Sequence, residues 1–137
     1  MKKYVHEVKY YETDKMGIVH HSNYIRWMEE ARIDFLNQLE IRYDKIEKEG
    51  ILSPVIGLEC EYKMSTTFPE KIEIEARVKE FKGVKLIIEY IMKKENTNEI
   101  VFYGISKHCF INTENKPIIL KKDFPELDEK LKELIQS

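Results

Sequence analysis

At 137 residues, with 42% hydrophobic and 35% charged side chains, the chain is the size of one domain and has enough apolar material for a core. Its formal charge of -2 balances 23 Lys and Arg against 25 Asp and Glu, so no net field selects nucleic acid or an anionic membrane. There is no signal-peptide-like segment and no run of about twenty apolar residues, which predicts a cytoplasmic protein without a membrane span. Cys60 and Cys109 both fall in strand-like alternations and are expected as buried free thiols.

Tyr4, His6, Val8 and Tyr10 alternate with Val5, Glu7 and Lys9, predicting a first strand. From Ser22 or Asn23, either a suitable N-cap, the period changes. Tyr24, Trp27, Met28, Ala31, Phe35 and Leu39 recur at three- and four-residue spacing, predicting an aromatic-rich helix to about Leu39. A second short helix is expected over Tyr43 to Glu49, ended by Gly50. After Pro54, Ile56, Leu58, Cys60, Tyr62 and Met64 alternate with Gly57, Glu59, Glu61 and Lys63, the cleanest strand in the chain.

Ile72, Ile74, Ala76 and Val78 alternate with charges in the next strand. A tight Lys82-Gly83 turn leads to Val84, Leu86, Ile88, Tyr90 and Met92. The turn at Glu95 to Asn98 opens a strand from Glu99 to about Ile111, apolar on both faces between Ile100 and Ile105 as a central strand would be. Asp123 is placed to cap a closing helix that presents Phe124, Leu127, Leu131, Leu134 and Ile135, with Pro125 in its first turn. The order is strand, long helix, four strands in a meander and a closing helix, without repeat or linker. This predicts a single α+β domain over residues 1–137, a curved antiparallel sheet wrapped around one long helix. The uncovered sheet face and the strand edges argue for oligomerisation.

Chemistry concentrates between Tyr10 and Arg32. Asp14 sits in a loop closed by Gly17, the only glycine before Gly50, and the bulky helix follows at once. A carboxylate beside the N-terminus of a buried helix suits hydrolysis, because unpaired N–H groups there polarise a carbonyl while the acid works on it or on water. The same aspartate could instead simply shape its own turn. Gly17 permits close backbone approach or supplies a positive φ. Tyr24 shares the helix stripe with Trp27 and is either core or pocket lining.

The segment Tyr11-Glu12-Thr13-Asp14-Lys15-Met16-Gly17-Ile18-Val19-His20-His21-Ser22-Asn23-Tyr24, continued by Glu30-Ala31-Arg32, resembles the hotdog-fold acyl-CoA thioesterases. Within them it is most similar to the 4-hydroxybenzoyl-CoA thioesterase group and its Tol–Pal-associated relatives. The family pattern falls on Asp14, Gly17, His21, Asn23 and Tyr24. Later strands match only in pattern. The resemblance implies hydrolysis of a small or medium acyl-CoA without metal or other cofactor, in a homodimer or homotetramer with the site at the dimer interface. It implies Asp14 as nucleophile or general base, with Gly17, Val19, His21 and Tyr24 around the substrate and the backbone N–H near His21 as electrophile. An acyl-carrier-protein thioesterase and a non-catalytic acyl-ligand binding module are the alternatives; a hotdog dehydratase would need a histidine–acid motif that cannot be traced.

His20 and His21 invite a metal reading with Asp14, but adjacent histidines are expected to point apart and no i,i+4 histidine follows. His20 departs from the aromatic residue of many relatives, which alters pocket polarity. His21 could orient Asp14. His6 and His108 lie in strand patterns with no spacing to unite them. Glu30 is a backup candidate acid, since some hotdog thioesterases place a glutamate on the helix, although its charged flank favours a solvated face or a salt bridge, with Arg32 as one partner. Glu12 is the other acid nearby, and Thr66 to Pro69 reads as a loop. Basic residues near the mouth would pair with coenzyme A phosphates. No Gly-x-Ser-x-Gly elbow, phosphate loop, Cys-x-x-Cys pair or nucleic-acid motif occurs.

Overall fold

The computed structural model describes residues 2–136. Five strands, β1 (Tyr4–Glu7), β2 (Val55–Tyr62), β3 (Lys71–Phe81), β4 (Lys85–Lys94) and β5 (Ile100–Cys109), form one antiparallel sheet in the order β1-β3-β4-β5-β2. The helices are α1 (Ser22–Gln38), α2 (Tyr43–Lys48), α3 (Leu120–Asp123) and α4 (Pro125–Gln136). Only β3, β4 and β5 form the expected meander. β2 leaves it and takes the far edge beside β5, because the segment between Tyr62 and Lys71 holds no hairpin turn and its backbone is engaged elsewhere. The chain gathers into two compact units, one of Met1–Phe35, Cys60–Ala76 and Tyr90–Gly104, the other of Leu36–Glu59, Arg77–Glu89 and Ile105–Ser137.

In the first unit, β1 pairs antiparallel with β3, Tyr4 opposite Ile74 and His6 opposite Ile72. The first strand is shorter than its alternation suggested. The Glu12 carboxylate accepts the Lys9 N–H at 2.8 Å and the Glu12 N–H donates to the Lys9 carbonyl at 3.0 Å, so Tyr10–Glu12 coils into a 3₁₀ turn. α1 buries Tyr24, Trp27, Met28, Ala31 and Phe35 and leaves Arg26, Glu29 and Glu30 in solvent, the expected stripe. Each large apolar side chain so buried contributes about 1.5–3 kcal/mol. Gly104 faces this stripe: a Cβ there would lie 2.6 Å from Phe102 Cε1 and 3.1 Å from Met28 Sδ, so only glycine fits without moving them.

The second unit holds a core of Ile46, Val78, Phe81, Leu86, Ile88, Phe110, Leu127 and Leu131. β3 and β4 join through the Lys82–Gly83 turn, where the Lys82 N–H donates to the Lys85 carbonyl at 3.1 Å. The end of α1 lies in this unit and closes with two bonds, Ile41 N–H to the Leu36 carbonyl at 3.0 Å and Glu40 N–H to the Asn37 carbonyl at 2.9 Å. That is a Schellman pattern, with Glu40 at φ 62° in the left-handed place where glycine is usual. Lys130 of α4 adds a bond to the Leu39 carbonyl at 2.7 Å.

Asp123 does not cap the closing helix; it ends the short α3, and Pro125 opens α4 directly, since its missing N–H costs nothing there. Cys60 and Cys109 are free thiols but only half-buried, because β2 lies at an edge and leaves one side of its neighbours open.

Candidate active site

Asp14 stands in a tight loop of the first unit. Its N–H donates to the Ile18 carbonyl at 2.8 Å and its carbonyl accepts the Gly17 N–H at 3.0 Å. Its own Oδ1 accepts the Met16 N–H at 2.8 Å, so one carboxylate oxygen holds the turn. Gly17 closes the loop at φ 79°, a conformation that favours glycine, and its carbonyl accepts the Thr67 hydroxyl at 2.6 Å. The Val19 N–H donates to the Thr66 carbonyl at 2.9 Å. The loop is thus tied to the Thr66–Pro69 segment, in which the Phe68–Pro69 peptide is cis.

The N–H groups at the approach to α1 are nearly all spent. Val19 donates to Thr66, His20 to the Glu12 carbonyl at 2.9 Å, and Asn23 to the His20 carbonyl at 3.0 Å. Ser22 donates to His20 Nδ1 at 3.3 Å. Among the described residues of this run, His21 alone keeps a backbone N–H without an acceptor. Neither expected N-cap acts as one: Ser22 is already helical, and buried Asn23 donates its side-chain amide to the Glu12 carbonyl at 2.9 Å.

Glu12 supports this arrangement from beneath. It is only 5% exposed, and its carboxylate meets His6 Nε2 at 2.8 Å, the Lys9 N–H at 2.8 Å and the Trp27 indole N–H at 2.7 Å. Burial pushes its carboxyl up, but these three donors outweigh burial and hold it below the usual 4.5. The partners the structure gives Glu30 are the Tyr4 hydroxyl at 3.0 Å and His6 Nδ1 at 3.3 Å, not Arg32.

A cleft of about 320 Å³ opens beside the loop. Asp14, Val19, His21 and Tyr24 line it together. Gly17 does not; it shapes the loop from behind. The remaining wall comes from Met16 and Ile18 and from Tyr62, Lys63, Met64 and Ser65, at and after the end of β2. Tyr62, Lys63 and Met64 belong to a segment read from the sequence only as a strand, Ser65 follows it, and no spacing connects them to Asp14. Lys63 is the one basic residue lining the cleft among those described, and it pairs with Glu61 at 3.1 Å.

Aromatic rings frame the cleft. Tyr24 stacks on Phe102 at 5.0 Å, and Tyr62 stands edge-on to both, at 5.3 and 5.4 Å. Burial, with Tyr62 and Glu70 adding to it, raises the Tyr24 phenol to about 12. It therefore stays a neutral donor near neutral pH. His20 and His21 do not point apart as expected: their rings lie 4.2 Å apart, with His20 Nδ1 held by the Ser22 hydroxyl at 2.9 Å. His6 serves Glu12 and Glu30, and His108 is bonded to the Ser106 hydroxyl at 2.7 Å. Among the described residues no three His, Cys, Asp or Glu side chains converge as a metal site would require. No described helix is long and apolar enough to cross a membrane.

An acid in a tight loop, lining a cleft at the start of a buried helix, is an arrangement suited to hydrolysis. The sequence profile of the thioesterase-like superfamily matches residues 8–135, and the chain belongs to that family. It is a thioester hydrolase. The chain is similar to YneP of Bacillus subtilis, described as a "Putative acyl-CoA thioesterase", with 35% identity over 88% of this chain and 87% of that one. It is 26% identical to the acyl-CoA thioesterase YbgC of Haemophilus influenzae, over 85% of each chain. In three dimensions it matches the DHNA-CoA thioesterase of Staphylococcus aureus with a TM-score of 0.92, at 34% identity over 96% of this chain and 88% of that one.

Proposed function

We propose that the protein hydrolyses the thioester of a small or medium acyl-coenzyme A, with Asp14 as the catalytic carboxylate. The observation that carries this reading is that Asp14 and His21, whose backbone N–H has no acceptor among the described residues, line one cleft at the start of α1. The acyl carbonyl would accept that N–H, whose donor strength the helix dipole increases as the oxygen becomes negative. Asp14 either adds to the carbonyl carbon or takes a proton from the water that does. In the first case the C–S bond breaks to leave a mixed anhydride that water then cleaves, freeing the acid and Asp14. In the second, water's oxygen bonds the acyl carbon as the C–S bond breaks. In both, the thiolate leaves and takes up a proton. Val19, Met16 and Met64 offer an apolar wall for the acyl group, and Tyr24 and Tyr62 an aromatic one. Lys63 is the natural contact for a phosphate of the nucleotide portion.

The family profile spans 8–135, which supports reading the whole chain as one hotdog domain. We also place a second copy of the chain against β2. That edge strand and Met64, two residues beyond it, leave Val55, Ile56, Leu58, Tyr62 and Met64 39–53% exposed, an apolar edge that a folded protein normally covers. Tyr62 and Met64 also line the cleft, so a partner seated on this edge would border the site.

The test is a panel of acyl-CoA substrates read by free-thiol release. Asp14→Asn is expected to keep its melting temperature and lose about 10²- to 10⁴-fold in kcat. Unchanged turnover in that variant would exclude Asp14. Offering the same acyl group on coenzyme A and on an acyl carrier protein, and comparing kcat/KM, separates the two carriers.

A further inference from the structure

We propose that Glu12 is the positioning residue of this site, fixing the Asp14 loop and the start of α1 in one mutual geometry through both its carboxylate and its main-chain carbonyl. The inference rests on Asp14 being the catalytic carboxylate. Five groups, from β1, Lys9, the residue His20 before α1 and two positions of α1, end on Glu12. From β1 comes His6 Nε2 at 2.8 Å, and from just before the 3₁₀ turn the Lys9 N–H at 2.8 Å, both on Oε1. From the middle of α1 comes the Trp27 indole at 2.7 Å, on Oε2. From the first turn of α1 comes the Asn23 amide at 2.9 Å, on the carbonyl, which also takes the His20 N–H at 2.9 Å.

The consequence is geometric. Asp14 lies two residues beyond Glu12, and His21 lies between the two residues that bond the Glu12 carbonyl. Rotating or lowering Glu12 would therefore move the acid relative to His21, which lines the same cleft. A carboxylate is required because three donors converge on its two oxygens. An amide has one acceptor oxygen and would turn its own N–H₂ toward at least one of those donors. Glu12 is too deeply buried to touch substrate, so its action passes through its neighbours.

The experiment measures kcat and KM separately for Glu12→Gln, Glu12→Asp, Trp27→Phe and Asp14→Asn, on whichever acyl-CoA the unaltered protein turns over fastest. Folding is followed by thermal melts. Glu12→Gln is expected to lower kcat by about 10- to 100-fold, the cost of misplacing a reacting group by a fraction of an ångström to an ångström, with KM within about threefold. Glu12→Asp keeps the charge and should recover part of that loss. Trp27→Phe removes one donor, keeps a ring in the core, and should lower kcat severalfold with KM unchanged, which preserves the test if Glu12→Gln fails to fold. Full kcat in folded Glu12→Gln, or in Trp27→Phe, with Asp14→Asn inactive overturns the positioning role alone. Full turnover in Asp14→Asn overturns the reading of the site beneath it.

Discussion

A carboxylate that is 5% exposed and still ionised must be held so by its neighbours, and for Glu12 these are His6, the Lys9 N–H and the Trp27 indole. Burial raises its carboxyl, and the donors more than reverse this, so the folded protein releases the proton more readily than the unfolded chain does. Ionisation therefore favours the folded state. The stabilisation is complete above the unfolded value of about 4.5 and is lost as pH falls through the lower folded value. Thermal melts across that acid range should show the melting temperature of the unaltered protein falling more steeply than that of Glu12→Gln, which has no proton to gain. Equal slopes would mean that the charge is not used. At this scale the sequence was informative where the site is contiguous. Asp14, Val19, His21 and Tyr24 line one cleft because a single loop and helix start carry them all. Tyr62, Met64 and Ser65 reach it from a segment about forty residues away, and nothing in a strand's alternation says which loop its end will border.

Helix and strand boundaries followed the hydrophobic period closely in the middle of each element and departed from it at the ends. α1 was legible because Tyr24, Trp27, Met28, Ala31 and Phe35 hold strict helical spacing. Its C-terminus has no glycine to mark it; Glu40 takes the left-handed position instead, and the Leu36 and Ile41 side chains on either side of the closure are buried. Left-handed geometry costs an ordinary L-residue roughly 1–2 kcal/mol, and glycine avoids it at the expense of a freer unfolded chain. Glu40→Gly should therefore stabilise the protein by about 0.5–1 kcal/mol, visible in urea unfolding as a higher midpoint at constant slope. A lower midpoint would show that the Glu40 side chain contributes more than its backbone strain removes. Asp123 was misread for a related reason: the pattern Asp-Phe-Pro fits a helix start, but Leu120 is fully buried and draws the preceding turn into α3. The place of β2 at the far edge was not legible, since strand order depends on long-range pairing that alternation does not encode.

For the molecule as a whole, the exposed apolar residues of β2 remain to be covered. With a second copy seated there, Leu58→Lys would put a charge into the contact and shift the protein toward a monomer in light-scattering measurements. Activity should fall with it, because Tyr62 and Met64 adjoin both the edge and the cleft. A monomeric Leu58→Lys protein with full kcat would separate assembly from catalysis. The same edge makes an assay condition matter. If association covers β2, mass action governs how much of the protein is competent: specific activity would decline on dilution below the dissociation constant, and the melting temperature would climb with protein concentration. A turnover number measured at nanomolar enzyme would then describe the fraction still associated, and adding inactive Asp14→Asn chains in excess would restore activity to dilute unaltered protein by supplying partners.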